Sequence, residues 1–128
     1  MAKVDLQNWK TQIRKGYLEL CILTLIEKSQ RAYGFEILDR LNNWELLVKE
    51  GTLYPLLNRM TTDGILKSTW ETEAAKGHPR KFYALTARGK ETLTQMTEEF
   101  EKMTKIQKEI GKNNQEKSGE KNDEPSIA

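Results

Sequence analysis

The sequence predicts a mainly α-helical protein with one small β-hairpin and a long C-terminal helix. Three observations predict it. Apolar residues recur at helical spacing through the first half of the chain. Two β-forming stretches between Ile65 and Leu85 flank a turn containing Gly77 and Pro79. A last apolar series runs from Leu93 to Ile110 by threes and fours, with Gln107 at the one seam position that is not apolar and Ile106 beside it.

Leu6, Trp9 and Ile13 share a helical face, and Leu18, Cys21, Ile22 and Leu25 continue it. One helix, or two joined near Gly16, is expected from about Asp5 to Lys28. Ser29-Gln30-Arg31 is a polar break, and a second helix starts near Tyr33-Gly34, with Ile37, Leu38 and Leu41 toward the core. It ends near Asn42-Asn43, and a link through Trp44, Leu46 and Val48 follows. Thr52 is a suitable N-cap for the third helix, because its hydroxyl can accept from an orphan first-turn N–H. Pro55 then falls in the first turn, where its missing N–H would have had no intrahelical partner. Leu53, Leu56, Leu57 and Met60 make the buried stripe, and Gly64 suits the position after the C-cap.

Ile65 to Glu73 and Lys81 to Leu85 read as strands around the turn Ala74 to Arg80, giving a hairpin with a basic tip of Lys76, Arg80 and Lys81. Trp44 and Trp70 are expected to pack in the core or between domains. Thr86 can cap the last helix, in which Leu93, Met96, Phe100, Met103 and Ile110 form a heptad-like seam. After Gly111 the chain has few apolar residues, so disorder is expected there. The organisation expected is a winged domain over 1–86, a C-terminal helix over 87–110 and a tail over 111–128.

Composition narrows the function. Lys and Arg number 21 against 19 Asp and Glu, a net charge of +2, so the placement of charges matters more than their sum. No apolar run reaches the roughly 18 residues of a membrane span, and the first residues do not read as a secretory leader. A single cysteine, Cys21, and a single histidine, His78, leave no disulfide framework and no zinc ligand set. Cys21 is expected to pack in the core, His78 to lie in a turn, and the chain to reside in a reducing cytoplasm. There is no Gly-rich phosphate loop and no nucleophile–base pairing, so neither enzyme activity nor a cofactor is expected.

The order helix, helix, helix, hairpin is that of a winged helix-turn-helix, in which the third helix enters the major groove of DNA. A helical projection opposite the Leu53, Leu57 and Met60 stripe leaves Pro55, Asn58, Arg59 and Thr62 outward, with Thr52 and Tyr54 on the flanks. Arg59 can fork onto guanine and Asn58 onto adenine, each worth about 1–3 kcal/mol of discrimination. Thr52 and Tyr54 suit phosphates, as do the wing cations Lys76, Arg80 and Lys81.

These residues carry a family resemblance. Arg14-Lys15-Gly16-Tyr17-Leu18-Glu19, Tyr33-Gly34-Phe35-Glu36-Ile37 and Gly51-Thr52-Leu53-Tyr54-Pro55-Leu56-Leu57 match, as do Asp63-Gly64-Ile65-Leu66 with Trp70 and Arg80-Lys81-Phe82-Tyr83-Ala84-Leu85-Thr86 with Gly89. Over about residues 10 to 105 the chain resembles the PadR family of bacterial transcriptional regulators, in its short subgroup with one C-terminal helix. The resemblance implies a homodimeric winged-helix protein, usually a repressor, on a palindromic operator with half-sites roughly 10 bp apart or a multiple of that. It places DNA contacts at Lys15, Tyr33, Thr52, Tyr54 and the wing cations, and the dimer on the last helix with the first. The dimer interface expected is Leu6, Trp9, Ile13, Leu93, Met96, Phe100, Met103 and Ile110. A small apolar or aromatic effector would sit in a cleft at Trp9, Met96 and Phe100. The competing reading is a winged-helix module that binds protein and has no specific DNA site.

Overall fold

A computed structural model describes residues 4–72 and 78–113. In chain order its elements are α1 (Gln7–Ser29), β1 (Ala32–Tyr33), α2 (Gly34–Asn43), α3 (Glu50–Thr62), β2 (Leu66–Thr72), β3 (Pro79–Leu85) and α4 (Ala87–Asn113). The expected winged helix-turn-helix with a long last helix is present. The chain divides into two compact units inside α4, between Thr94 and Gln95.

In the first unit each helix turns one stripe inward. Leu18, Ile22, Leu23 and Ile26 of α1 are buried, with Ile37, Leu38 and Leu41 of α2 and Leu53, Leu56, Leu57 and Met60 of α3. Burying a side chain of this size contributes about 1.5–3 kcal/mol by removing apolar surface from water, so this shared core fixes the three-helix arrangement. α1 runs unbroken through Gly16. The turn after it is sharp: Gln30 takes a left-handed φ of 71°, and its N–H donates to the Glu27 carbonyl at 3.1 Å.

The sheet has three strands in the order β1-β3-β2, all antiparallel. β1 contributes only the pairs Ala32↔Tyr83 and Tyr33↔Phe82. Two residues are too few to show an alternating pattern, which is why the sequence reads as a simple hairpin. Between β2 and β3, Leu66↔Leu85, Ser68↔Tyr83 and Trp70↔Lys81 share one sheet face, and Thr69↔Phe82 and Glu71↔Arg80 share the other. Leu66, Tyr83 and Leu85 close the core on the first face. Beyond them the same face carries Trp70 and Lys81.

The start of α3 differs from expectation. The helix begins at Glu50 with Lys49 as N-cap, and Thr52 lies inside the first turn. Lys49 is extended (φ −100°, ψ 160°), and its carbonyl already accepts from the N–H groups of Thr52 and Leu53, both at 2.9 Å. That leaves Thr52 no capping role, and Glu50 sets its charge at the positive end of the helix dipole. Pro55 is therefore the sixth helical residue, one turn later than expected, and has no N–H to give the Gly51 carbonyl.

The other end of α3 closes as read from the sequence. Gly64 has φ 80°; its N–H donates to the Thr61 carbonyl at 3.1 Å, and that of Ile65 to the Met60 carbonyl at 2.9 Å. The Thr86 hydroxyl donates to the Gly64 carbonyl at 2.7 Å and accepts from the Gly89 N–H at 2.9 Å, capping α4. Gly89 lies so near that an added Cβ would stand 2.1 Å from the Ile65 carbonyl oxygen. Leu93, expected in the dimer seam, is only 6% exposed and belongs to the core of the single chain.

Between α2 and α3, the Asn42 side-chain oxygen accepts from the Val48 N–H at 3.2 Å, and Arg14 donates to the Leu47 carbonyl at 3.0 Å. Trp44, expected to pack, is 79% exposed in this loop; Trp70 on the wing is 63% exposed. In both cases ring size suggested burial, but the core is already filled by the aliphatic stripes. The second unit holds the rest of α4, with Met96, Phe100 and Ile106 half-buried and Met103 and Ile110 exposed. Lys76 and residues 114–128, the bulk of the expected tail, lie outside the described residues.

Thr86→Val keeps the shape of the side chain but removes the hydroxyl's bonds to Gly64, Ile65 and Gly89, and should cost about 1–2 kcal/mol in urea unfolding. An unchanged midpoint would show that the hydroxyl does not secure this junction.

Candidate nucleic-acid interface

An open groove lies between the start of α2, the exposed side of α3 and the wing. Tyr33, Gly34, Phe35, Tyr54, Asn58, Trp70, Arg80, Lys81 and Tyr83 line it. It collects Tyr33, Tyr54, Asn58, Arg80 and Lys81 of the expected DNA contacts, and adds Phe35 and Trp70, which sequence reasoning did not assign to a site.

The floor depends on one close approach. A Cβ on Gly34 would fall 2.4 Å from Tyr54 Cε1 and 2.7 Å from its hydroxyl oxygen. Glycine at the first position of α2 therefore admits the Tyr54 ring from α3. Glu36 holds the same helix start by accepting from the Tyr33 N–H at 3.3 Å. Burial, and secondly the charge of Glu50, push the Tyr54 hydroxyl above its ordinary pKa; burial, and then Tyr54 itself, push up the Tyr83 hydroxyl. Both stay neutral hydroxyls at physiological pH; Tyr54, half-buried at the groove, can donate to an anion, whereas Tyr83 is buried beneath it.

The cations of the groove rest on rings. The Arg80 guanidinium lies 4.5 Å from the Tyr33 ring centre, and Lys81 Nζ 5.6 Å from that of Trp70. Tyr33 meets Phe82 edge-on at 5.4 Å, and Arg31 lies 4.0 Å over Phe82 while forking onto Glu71. Arg31 holds the Glu71 carboxyl below the usual range, so this cation is already answered. Contacts of this kind are worth about 0.5–1 kcal/mol each at exposed sites, enough to favour one direction for the charged ends.

The remaining expected contacts lie elsewhere. Thr52 and Pro55 are exposed on α3 beside Gly51, where an added Cβ would meet nothing within 4 Å. Lys15 is exposed on α1 and does not line the groove. The Arg59 guanidinium is engaged: it donates to the Glu19 carboxylate of α1 and lies 3.9 Å from Asp63. The expected dimer and effector residues Leu6, Trp9 and Ile13 are exposed on α1. Cys21 is half-buried, and burial raises its thiol, which disfavours the reactive thiolate. His78 is exposed just before β3. Among the described residues no group of three or more His, Cys, Asp or Glu could hold a metal ion, and no helix is long and apolar enough to cross a membrane.

Cations set on rings, an exposed amide and a neutral hydroxyl make a surface for a polyanion with polar edges. Comparison with known proteins agrees with that chemistry. The family model described as the transcriptional regulator PadR-like family matches residues 22–95. The chain belongs to the PadR-like family. A PadR-like transcription factor from Bacteroides fragilis is 40% identical, with 80% of this chain and 98% of that one covered and a TM-score of 0.69. A PadR-like regulator from Bacillus cereus is 31% identical over the same shares, also with a TM-score of 0.69. One from Clostridium difficile is 32% identical over 73% of this chain and 97% of that one, with a TM-score of 0.67. Members of this PadR-like family are DNA-binding regulators of transcription, not enzymes.

The raised tyrosines predict a pH dependence. Unfolded tyrosine ionises near pH 10, whereas Tyr54 and Tyr83 hold their protons longer in the folded state. Stability should be unaffected by them below about pH 10 and should fall as pH rises from there through their folded values. Urea melts from pH 9 to 11 on wild type and the Tyr54→Phe, Tyr83→Phe double variant check this; equal slopes would contradict it.

Proposed function

We propose that this PadR-family protein is a sequence-specific DNA-binding repressor, acting in the cytoplasm as a homodimer on a palindromic operator. The observation that carries the DNA reading is the groove itself, where Asn58 of α3 faces the ring-held cations Arg80 and Lys81 of the wing. α3 enters the major groove and Asn58 reads a base edge, while Thr52, Pro55 and Tyr54 pack against the backbone. Arg80, Lys81, Tyr33, Lys15 and the wing residue Lys76 answer phosphates. The dimer forms through α1 and α4, with Leu6, Trp9 and Ile13 on the first and Met96, Phe100, Met103 and Ile110 on the second. A small aromatic or apolar effector releases the DNA.

Selection of bound duplex from a random pool, followed by gel retardation across a salt series, tests the DNA reading. Wild type should enrich one palindromic sequence and lose affinity steeply as salt rises. Asn58→Ala should flatten the preference at one base pair by about 1–3 kcal/mol, whereas Lys81→Ala should weaken all sequences alike and make the salt slope shallower by about one. No retained duplex at low salt would leave the protein-binding module as the better reading. Met103→Glu places a charge in the proposed seam without disturbing the core of the first unit. It should convert a dimer to a monomer in light scattering, and an unchanged mass would remove Met103 from the interface.

A further inference from the structure

We propose that Arg59 is a positioning residue: clamped by Glu19, it sets the roll of α3 on α1, and base reading falls to the neighbouring Asn58. This inference rests on the DNA-binding reading above and assigns the labour within it.

The helix itself supplies the geometry. At 100° per residue, the direction opposite the buried Leu53, Leu56, Leu57 and Met60 is occupied by Gly51, Pro55, Asn58 and Thr62. Arg59 is displaced from that line to one side and Tyr54 to the other. Contacts identify the sides. Tyr54 packs on Gly34 at the groove, where Asn58 also lies. Arg59 reaches across to α1 and donates through Nη2 to the Glu19 carboxylate.

The electrostatics oppose a reading role. Nη1 of the same guanidinium faces Asp63 at 3.9 Å, so one cation stands between two carboxylates and the cluster carries a net negative charge. A guanine edge or a phosphate would compete with Glu19 for Nη2 and with the attraction of Asp63 for the charge. The Glu19 side chain is also more sheltered than its partner, 23% exposed against 48%. Withdrawing Arg59 toward DNA would leave that half-buried carboxylate unpaired, which costs more than losing an exposed pair. A cation held between Glu19 of α1 and Asp63 at the end of α3 suits a brace by its charge. α1 and α3 are thereby tied at the residue next to Asn58, and a few degrees of roll would move the amide off its base.

The two roles give opposite signs on removal of Glu19. The experiment uses the full chain, the duplex that wild type selects and a scrambled duplex, with active fractions titrated so that partial unfolding cancels. Glu19→Gln should weaken binding to the selected duplex roughly tenfold and leave the scrambled one nearly unchanged, so the specificity ratio falls. Exchanging the charges, Glu19→Arg with Arg59→Glu, should restore most of that ratio. Reselection with Arg59→Lys, which preserves the charge, should return the wild-type consensus.

A base-reading Arg59 predicts otherwise. Freed by Glu19→Gln it would bind as well or more tightly, and Arg59→Lys would change the preference at one base pair. Either result overturns the proposal, and neither needs the exchange variant to fold. A wild-type protein that selects no sequence overturns the DNA-binding reading, and this assignment with it.

Discussion

The hydroxyl of Thr86 ties together parts of the chain that would otherwise be placed independently. It donates to the carbonyl of Gly64, where α3 ends, and caps α4 through the N–H of Gly89. The Thr86 N–H meanwhile donates to the Ile65 carbonyl at 3.1 Å, at the foot of the wing. Helix end, wing base and the start of α4 are thus joined within one turn of chain. Two glycines permit it, Gly64 by its left-handed backbone and Gly89 by the absence of a side chain against Ile65. The groove between α3 and the wing keeps its geometry because this junction fixes where α3 ends and the wing begins.

Above that junction the surface is assembled by close approach and by rings. Gly34 lets Tyr54 lie against the start of α2, so the second and third helices meet at the groove floor. The described wing cations Arg80 and Lys81 are carried on aromatic faces. Arg80 lies on Tyr33 of β1, a strand of two residues whose place beside β3 brings that ring within reach. A flexible basic tip would lose side-chain entropy on meeting DNA, about 0.5–1.5 kcal/mol for each long side chain ordered. Cations already directed by rings have less to lose. Trp70 serves the same surface: the sheet face that buries Leu66 and Tyr83 extends past the core and presents Trp70 beside Lys81.

Much of this was legible in the chain because it follows from local rules. The stripe Leu53, Leu56, Leu57, Met60 and the terminator Gly64 describe α3 without any tertiary information, and Thr86 announces the start of α4. The groove residues Tyr54, Asn58, Arg80 and Lys81 were nameable from the outward side of a helix and the basic end of a hairpin. Errors arose where a local preference met a competing partner. Thr52 is a good cap by type, but the Lys49 carbonyl begins the helix first. Leu93 continues the apolar seam by spacing, yet the first unit buries it.

By itself, then, the sequence determined the winged helix-turn-helix order, the buried faces and the family, since periodicity, caps and turn residues act within a few positions along the chain. Tertiary structure alone decided which polar side chains are available on those faces. Arg59 and Asn58 are neighbours with equal claims to a base edge, and nothing local separates them. The separation comes from Glu19, 40 residues earlier, which takes the guanidinium and leaves the amide in the groove. Arg31 and Glu71 likewise cancel across 40 residues, whereas Arg80 and Lys81 meet rings. Charges act through space, and the folded chain alone brings the partners together.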